Sequence, residues 1–167
     1  RVKSLILVID SGGGSVIGAP ELAATVRELS GVKPIVAVTD GTMASAAYWI
    51  GSAANAVYGS GPTVNVGSIG VVATHNYTPN AGSSQTTEIT AGRYKRMASP
   101  AKPLDEEGAA YIQAKVDHIY GVFVETVAEH RGTTPEAVIE HMADGRVFIG
   151  QQAVDAGLLD GLMTVDQ

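Results

Sequence analysis

Apolar and polar residues alternate along the chain in blocks that predict an α/β protein. Short apolar runs bounded by glycine or proline indicate strands, and apolar residues three or four positions apart indicate helices. The predicted strands are residues 5–9, 34–38, 56–58, 64–72, 86–90 and 147–149. The predicted helices are residues 20–29, 44–54, 104–131, 135–142 and 151–156. Strand, helix, strand at the start forms a βαβ unit, so we expect one α/β domain with a mostly parallel sheet.

The same pattern assigns faces to three of these elements. Residues 5–9 are continuously apolar, which predicts a strand buried on both faces. In the first helix Leu22, Val26 and Leu29 share one side. The polar stretch 74–84 predicts a loop. The long helix carries a wide apolar stripe made of Ile112, Val116, Ile119, Tyr120, Phe123, Val124 and Val127.

Composition excludes several classes of function. The 167 residues are 45% hydrophobic and 17% charged, which excludes charge-driven disorder. A net charge of −6 argues against a nucleic-acid partner, and the absence of cysteine excludes thiol catalysis and zinc–cysteine sites. No spacing of His, Asp or Glu indicates a metal, and no nucleotide-binding glycine motif is present, so we expect no cofactor.

The ends of the sequence also carry an expectation. No apolar run approaches the length of a membrane-spanning helix. The chain opens on a strand and has no initiator methionine, so we expect it to be a piece of a longer protein. Membrane association is then expected only through segments outside this chain, and the cellular location stays open.

A run of three glycines follows the first predicted strand. Asp10, Ser11 and the glycines 12–14 leave backbone N–H groups uncovered by side chains at a sheet edge. Such groups suit an oxyanion or an extended peptide backbone, and a plain turn explains the same residues.

Ser45 and Lys95 are the two side chains with candidate chemistry. Ser45 opens a helix of small residues, where it serves either as an N-cap or as a nucleophile. Lys95 lies among Arg93 and Arg96, which form either a solvated face or the setting of one desolvated lysine that acts as a base. The histidines, which lie outside glycine-rich turns, are expected at the surface or its boundary: His75, His118, His130 and His141.

The order of these segments resembles the signal peptide peptidase A-like serine peptidases, a family that includes head-maturation proteases of phages. The main matching segments are Asp10-Ser11-Gly12-Gly13-Gly14, Ala44-Ser45-Ala46-Ala47-Tyr48-Trp49-Ile50, Gly67-Ser68-Ile69-Gly70-Val71 and Ala91-Gly92-Arg93-Tyr94-Lys95. Supporting matches are Phe123-Val124, Val127-Ala128, Arg131-Gly132, Asp144-Gly145-Arg146-Val147-Phe148, Ala153 and Gly157-Leu158-Leu159-Asp160. They span nearly the whole chain in one collinear order.

The resemblance implies a Clp/crotonase-like fold, a spiral of ββα units in a single domain over residues 1–167, without the family's first strands. It implies peptide-bond hydrolysis by a serine–lysine dyad, with Ser45 as nucleophile and Lys95 as general base. Ser68 would hold the lysine amine by a hydrogen bond. The N–H groups of Gly13 or Gly14 and of Ala46 would form the oxyanion hole. A polypeptide substrate and a homo-oligomer are implied as partners.

Two departures from the family pattern leave alternatives open. Gly12 stands where the family has proline, and the polar region 74–88 lacks the family's short helix. The alternatives to a peptidase acting on signal-peptide-like or phage scaffold polypeptides are an inactive assembly scaffold and a crotonase-type acyl-CoA enzyme. The latter would need catalytic glutamates, and none lies near Ser45 in sequence.

Overall fold

A computed structural model describes residues 2–77, 87–164 and 166. They form two compact units, residues 71–119 and the remainder of the chain on either side of that segment. The strands are β1 Leu5–Val8, β2 Ile35–Thr39, β3 Thr42–Ala44, β4 Ala56–Gly59, β5 Asn65–Gly67, β6 Val147–Ile149 and β7 Gly161–Leu162. The helices are α1 Ala19–Ser30, α2 Ala46–Gly51, α3 Glu106–Arg131, α4 Pro135–His141 and α5 Gln151–Asp155.

All the strands belong to the first unit and form two sheets. The larger sheet has the order β1-β2-β4-β7, and every pair in it is parallel. The smaller sheet has the order β3-β5-β6, with a parallel pair β3–β5 and an antiparallel pair β5–β6. The predicted α/β class with a mostly parallel sheet is therefore confirmed.

The first strand differs from its prediction. β1 lies at the edge of the larger sheet, and its residues alternate between half-buried and exposed. Ile6 is 53% exposed and Val8 60%, so burial on both faces was the wrong prediction. An edge strand has one neighbour instead of two, and an apolar run does not distinguish an edge strand from a central one.

The first helix is where the sequence predicts it, but it presents another face to the core. Ala19, Ala23 and Val26 are buried, whereas Leu22 and Leu29 are exposed. Small alanines let α1 approach its neighbours closely, so the larger leucines fall beside the contact. The buried side of this helix is therefore offset by about one residue position from the side that Leu22, Val26 and Leu29 share.

Helix α3 confirms the predicted stripe in its second half. Phe123, Val124 and Val127 are buried. The Phe123 ring stacks on Trp49 of α2 with centroids 4.2 Å apart. This contact anchors the short helix α2 to the centre of the first unit, because aromatic pairs of this kind add to the free energy of burial.

Several boundaries differ from the sequence prediction. Residues 42–44 form a strand, and helix α2 has six residues instead of the eleven predicted at 44–54. The predicted strand 64–72 reduces to Asn65–Gly67, and β7 was not predicted. Residues 87–90 form no strand, and residue 86 lies outside the described residues. Residues 74–77 have no regular structure, as predicted, and residues 78–84 of that loop lie outside the described part.

The second unit contains turns and the beginning of α3. Backbone bonds close a series of turns from residue 92 to residue 102, among them Lys95 N–H to Gly92 O at 3.1 Å. Asp105 Oδ1 accepts a hydrogen bond from Gly108 N at 2.8 Å at the start of α3, which satisfies a donor without a partner inside the helix.

Candidate active site

Ser45 occupies a strained position between β3 and α2. Its φ of 54° and ψ of −128° lie in a region that side chains other than glycine avoid. Ser45 precedes the first residue of α2, yet its side chain makes no capping hydrogen bond. The N-cap interpretation therefore does not explain the hydroxyl, and strain of this kind is found most often at functional positions.

The glycine turn lies directly against Ser45. Ser11 bridges to Met43 of β3 through Ser11 N–H to Thr42 O at 2.7 Å and Ala44 N–H to Ser11 O at 3.1 Å. A Cβ at Gly13 would lie 2.6 Å from Ser45 Cβ and 2.9 Å from Ala46 N. Only glycine fits at position 13, where φ is also +95°.

The N–H groups of the turn differ in their partners. Gly13 N–H donates to Ser11 Oγ at 3.2 Å within the turn itself. Gly14 has φ of +151°, and the space where its Cβ would lie is open. Ala46 is the first residue of α2, where an N–H has no acceptor inside the helix. Gly13 N–H is therefore bonded within the turn, whereas the N–H of Ala46 has no acceptor inside α2.

Ser68 follows the strand that pairs with the strand before Ser45. Ala44 and Gly67 are register partners, and Ser45 N–H donates to Gly67 O at 2.8 Å. Ser68 has φ of 50°, so Ser45 and Ser68 are the two residues other than glycine with positive φ in the described part of the chain. Both serines are half-buried. The structure therefore brings Ser45, Ser68, Gly13 and Ala46 together at adjacent strand ends.

An apolar groove of about 460 Å³ opens beside the glycine turn. Apolar side chains of α1, α2 and the residues near them line it, together with the backbone of the turn. The lining residues are Ile9, Ser11, Gly13, Gly14, Ser15, Ile17, Gly18, Ala19, Leu22, Ala46, Ala47 and Ile50. A side chain bound in this groove would lie beside Gly13 and Ala46, the two residues that adjoin Ser45.

A buried hydrogen bond anchors α2 to the chain at Leu158. Tyr48 is fully buried, and its hydroxyl donates to Leu158 O at 2.9 Å. Burial raises the pKa of the Tyr48 phenol, so it stays a neutral donor. The nearby Arg131 donates to Gly157 O at 3.0 Å and to both oxygens of Asp160 at 3.1 and 2.8 Å. Arg131 thereby holds Gly157 and Asp160, which precede and follow Leu158 in the chain.

Lys95 lies in the second unit, in the series of turns that precedes α3. It is exposed, whereas the sequence hypothesis expects a desolvated lysine. Its neighbours Arg93 and Arg96 are bound to Glu107 and Glu88. Lys95 is the remaining cation of this basic segment, and its role as a base stays a prediction.

A sequence model of peptidase family S49 matches residues 27–167. The chain belongs to peptidase family S49. The family resemblance read from the ordered motifs is confirmed, and the strained Ser45 lies inside the matched S49 region.

Named proteases and assembly proteins are among the relatives of this S49 chain. It is 36% identical to "Putative protease MJ0651" of Methanocaldococcus jannaschii, over 98% of this chain and 53% of that protein. It is 34% identical to "Putative signal peptide peptidase SppA" of Enterococcus faecium, over 95% of this chain and 47% of that protein. It is 30% identical to capsid assembly protease C of Escherichia phage lambda, over 97% and 37%. The S49 chain thus spans about half the length, or less, of these curated relatives.

The described residues of the S49 chain contain neither a membrane-spanning helix nor a candidate metal site. Among the described residues, no helix combines the length and apolar character needed to cross a membrane. The same residues contain no group of three or more His, Asp or Glu side chains that could hold a metal ion.

Some contacts that support the site were not predicted from the sequence. Asp10 Oδ1 accepts a hydrogen bond from Thr42 N at 2.9 Å and thereby ties the end of β1 to β3. Ser52 is fully buried and lies 2.9 Å from His130 Nδ1 through its Oγ. A fully buried serine six residues after the start of α2 has no distinguishing sequence signal, because its partner is 78 residues away.

Proposed function

We propose that this chain is a serine endopeptidase in which Ser45 attacks the peptide bond and Lys95 acts as general base. The observation that carries the proposal is the strained, uncapped Ser45, which lies inside the peptidase-family match and has Gly13 so close that no Cβ would fit there. A strained nucleophile beside a turn without side chains leaves room for a substrate carbonyl. The assignment of Lys95 rests on its place in the family motif, Gly92-Arg93-Tyr94-Lys95.

The proposed reaction is acyl transfer to water. Neutral Lys95 takes the hydroxyl proton of Ser45 as the Oγ–carbon bond forms at the scissile carbonyl. The N–H groups of Ala46 and Gly14 stabilise the oxyanion, and a donor of this kind is typically worth about 3–4 kcal/mol. The lysine ammonium then protonates the leaving amine as the C–N bond breaks. Water, deprotonated by the same amine, hydrolyses the acyl-enzyme and regenerates Ser45.

The lysine must lose its proton for this reaction, and an ordinary lysine side chain has a pKa of about 10.4. Lys95 is exposed in the chain alone. We therefore propose that the bound substrate removes water from the Lys95 amine, so that the base becomes competent only when a peptide is present. Ser68 is assigned the role of holding the amine by a hydrogen bond.

The groove beside the glycine turn supports a preference for apolar side chains next to the cleaved bond. Its walls include Ile9, Leu22 and Ile50. An extended substrate would pair its backbone with the edge of the glycine turn, as in strand addition.

The whole protein is proposed to have a Clp/crotonase-like spiral fold and to form a homo-oligomer. Its proposed substrates are polypeptides of the kinds named by its relatives, a signal peptide or a capsid assembly protein. These proposals rest on family membership and on the shared names.

The test combines two variants with a covalent probe. Ser45→Ala and Lys95→Ala should each abolish hydrolysis of an apolar peptide ester while the circular dichroism spectrum stays native. A serine-directed fluorophosphonate should label Ser45 in the unmodified protein. Absence of both turnover and labelling would indicate an assembly scaffold, turnover of a short enoyl-CoA would indicate a crotonase-type enzyme, and full peptidase activity of Lys95→Ala would eliminate the dyad.

A further inference from the structure

The segment that carries Lys95 is bound to a compact polar cluster in the second unit. Glu88 Oε1 accepts hydrogen bonds from Arg96 Nε at 2.9 Å and from Ser99 Oγ at 2.7 Å. Arg96 Nη2 also donates to the same oxygen. Ser99 is 1% exposed, and its Oγ accepts from Ala101 N–H at 3.1 Å. We call Glu88, Arg96 and Ser99 the Glu88 cluster.

We propose that the Glu88 cluster is a positioning network for Lys95, an inference that rests on the proposed function of that lysine. Arg96 is the next residue after Lys95, so its fixed guanidinium restricts the backbone on one side of the lysine. Ser99, four residues after Lys95, takes part in the backbone hydrogen bonds of the same series of turns. The cluster members are positioning residues, since they act through the backbone of Lys95 and not on the substrate.

The backbone between these residues is itself ordered by short-range bonds. Lys95 N–H donates to Gly92 O, and Ser99 N–H donates to Arg96 O at 3.2 Å. Isolated turns of this kind have little stability of their own, because each bond fixes several dihedral angles. Side chains that hold the segment at two points supply the restraint that the turns lack.

The cluster also joins segments that are distant in sequence. His75 Nε2 lies 2.9 Å from Ser99 O, so Ser99 is held through both its carbonyl and its hydroxyl. Glu88 lies eleven residues before Ser99 in sequence. Lys102 is the other cation near Glu88, and its Nζ is bound to Asp105 Oδ2 at 3.2 Å. The segment of Lys95 is therefore fixed from two stretches of chain besides its own.

A second ion pair beside Lys95 provides a comparison within the molecule. Arg93, two residues before Lys95, binds Glu107 at 2.8 Å. The side chains of this pair are 72% and 59% exposed, whereas those of Arg96 and Glu88 are 46% and 22% exposed. Exposed pairs contribute little because water and salt screen them. The restraint on Lys95 thus comes from the Glu88 cluster and not from the Arg93–Glu107 pair.

The experiment compares Glu88→Gln with the matched control Glu107→Gln in the full chain. Each variant removes one carboxylate charge from the partner of an arginine that flanks Lys95. Hydrogen exchange at the amides of Lys95 and Ser99 should be about tenfold faster in Glu88→Gln, because these turn bonds open locally when their restraint is lost. Exchange in Glu107→Gln should match the unmodified chain. Equal exchange in the two variants would overturn the proposal.

Catalysis supplies an independent measurement. We expect kcat of Glu88→Gln to fall about 10- to 100-fold with little change in KM, because a displaced base slows the chemical step and not binding. Glu107→Gln should keep kcat within about twofold. A rise in KM at constant kcat would contradict a positioning role.

Ser99→Ala separates positioning from a loss of folded protein, since it changes no charge. Arg96, Lys102, Glu88 and His75, the charged and titratable groups around Ser99, remain in place. A smaller folded fraction lowers the plateau of the kcat–pH profile, whereas a Lys95 amine displaced from the bound substrate is more hydrated in the complex and moves the midpoint of that profile upward. An unmoved midpoint would overturn the proposal.

The outcomes also distinguish this inference from the function on which it rests. If Lys95→Ala is fully active while Glu88→Gln still exchanges faster, the cluster orders the segment but the dyad is wrong. If Lys95→Ala is inactive while Glu88→Gln matches Glu107→Gln in exchange and kcat, the dyad stands and the positioning role is wrong.

Discussion

The backbone at Gly13 and Ser45 is the feature of single residues on which the proposed chemistry depends. Gly13 has no side chain in a place where a Cβ would meet Ser45 and Ala46, and Ser45 has a side chain where the backbone favours glycine. The sequence marks both residues through their motifs. It does not show the strain at Ser45, because that depends on the register of β3 with β5.

Gly13→Ala should abolish most activity. The added Cβ would lie 2.6 Å from Ser45 Cβ, so either the turn or the serine must move. We expect kcat/KM to fall at least about 100-fold, as for a displaced nucleophile, and the unfolding free energy to fall by about 1–3 kcal/mol. Gly12→Ala is the matched control, since its Cβ enters open space. Peptide-ester hydrolysis and urea unfolding measure both quantities, and similar losses in both variants would contradict the steric explanation.

Ser45→Gly should be inactive but more stable than Ser45→Ala. Glycine adopts the φ of 54° without the clash that a Cβ makes, and that relief outweighs its greater freedom in the unfolded chain. The expected difference in unfolding free energy is about 1 kcal/mol in favour of glycine. Denaturant unfolding of the two variants measures it, and a more stable Ser45→Ala would mean that position 45 is unstrained.

At the scale of elements, sequence patterns predicted which segments are helices and strands better than they predicted faces and ends. Helices α1, α3, α4 and α5 appear within about two residues of their predicted bounds. The strand β3 was missed because residues 42–44 merge into a run of small residues that is typical of a helix. The buried face of α1 was not predictable, because alanine contacts are set by neighbouring elements, which hydrophobic periodicity alone does not reveal.

The contact between α2 and α3 should make the fold sensitive to acid. His130 lies beside the buried Ser52, and burial, together with the charge of Arg27, lowers the pKa of His130. The unfolded chain therefore binds a proton near pH 6.5 that the folded chain does not. The unfolding free energy should therefore have its full value above about pH 6.5 and fall as the pH drops below that value.

His130→Gln tests that dependence, because glutamine keeps polarity without titrating. Urea unfolding between pH 8 and pH 5 should give a smaller loss of stability in the variant than in the unmodified chain. His118→Gln is the matched control, since His118 lies on the same helix and is exposed. An equal loss in all three proteins would remove His130 as the cause.

For the whole molecule, the family and the α/β architecture were predictable because several weak motifs occur in one order. Each motif alone is compatible with a turn, a cap or a solvated face, and only their collinear order from Asp10 to Asp160 indicates the family. Contacts between distant segments were not predictable. The bonds from Tyr48 to Leu158 and from Arg131 to Asp160 join residues 110 and 29 positions apart.

Asp160→Asn should weaken the first unit and with it the support of α2. Partial burial raises the pKa of Asp160, but hydrogen bonds from Arg131 and from Val57 N–H outweigh it, so the pKa lies below its usual value. The carboxylate therefore stabilises the fold above about pH 4, and this contribution is lost as the pH falls further. Arg131 is 11% exposed, so its unpaired charge in the variant is costly.

We expect Asp160→Asn to lower the unfolding free energy at pH 7 by about 1–3 kcal/mol, and to flatten its dependence on pH between 5 and 3. Asp155→Asn is the control, because Asp155 contacts only Gln151 Nε2 among the hydrogen bonds of the described chain. Fluorophosphonate labelling of Ser45 should also slow in Asp160→Asn. Arg131 holds Gly157 and Asp160, and Leu158 lies between them. Leu158 O accepts the hydrogen bond from Tyr48 that anchors α2, so a looser segment loosens the helix that follows Ser45. Unchanged labelling in a destabilised variant would show that this network supports the fold without positioning the nucleophile.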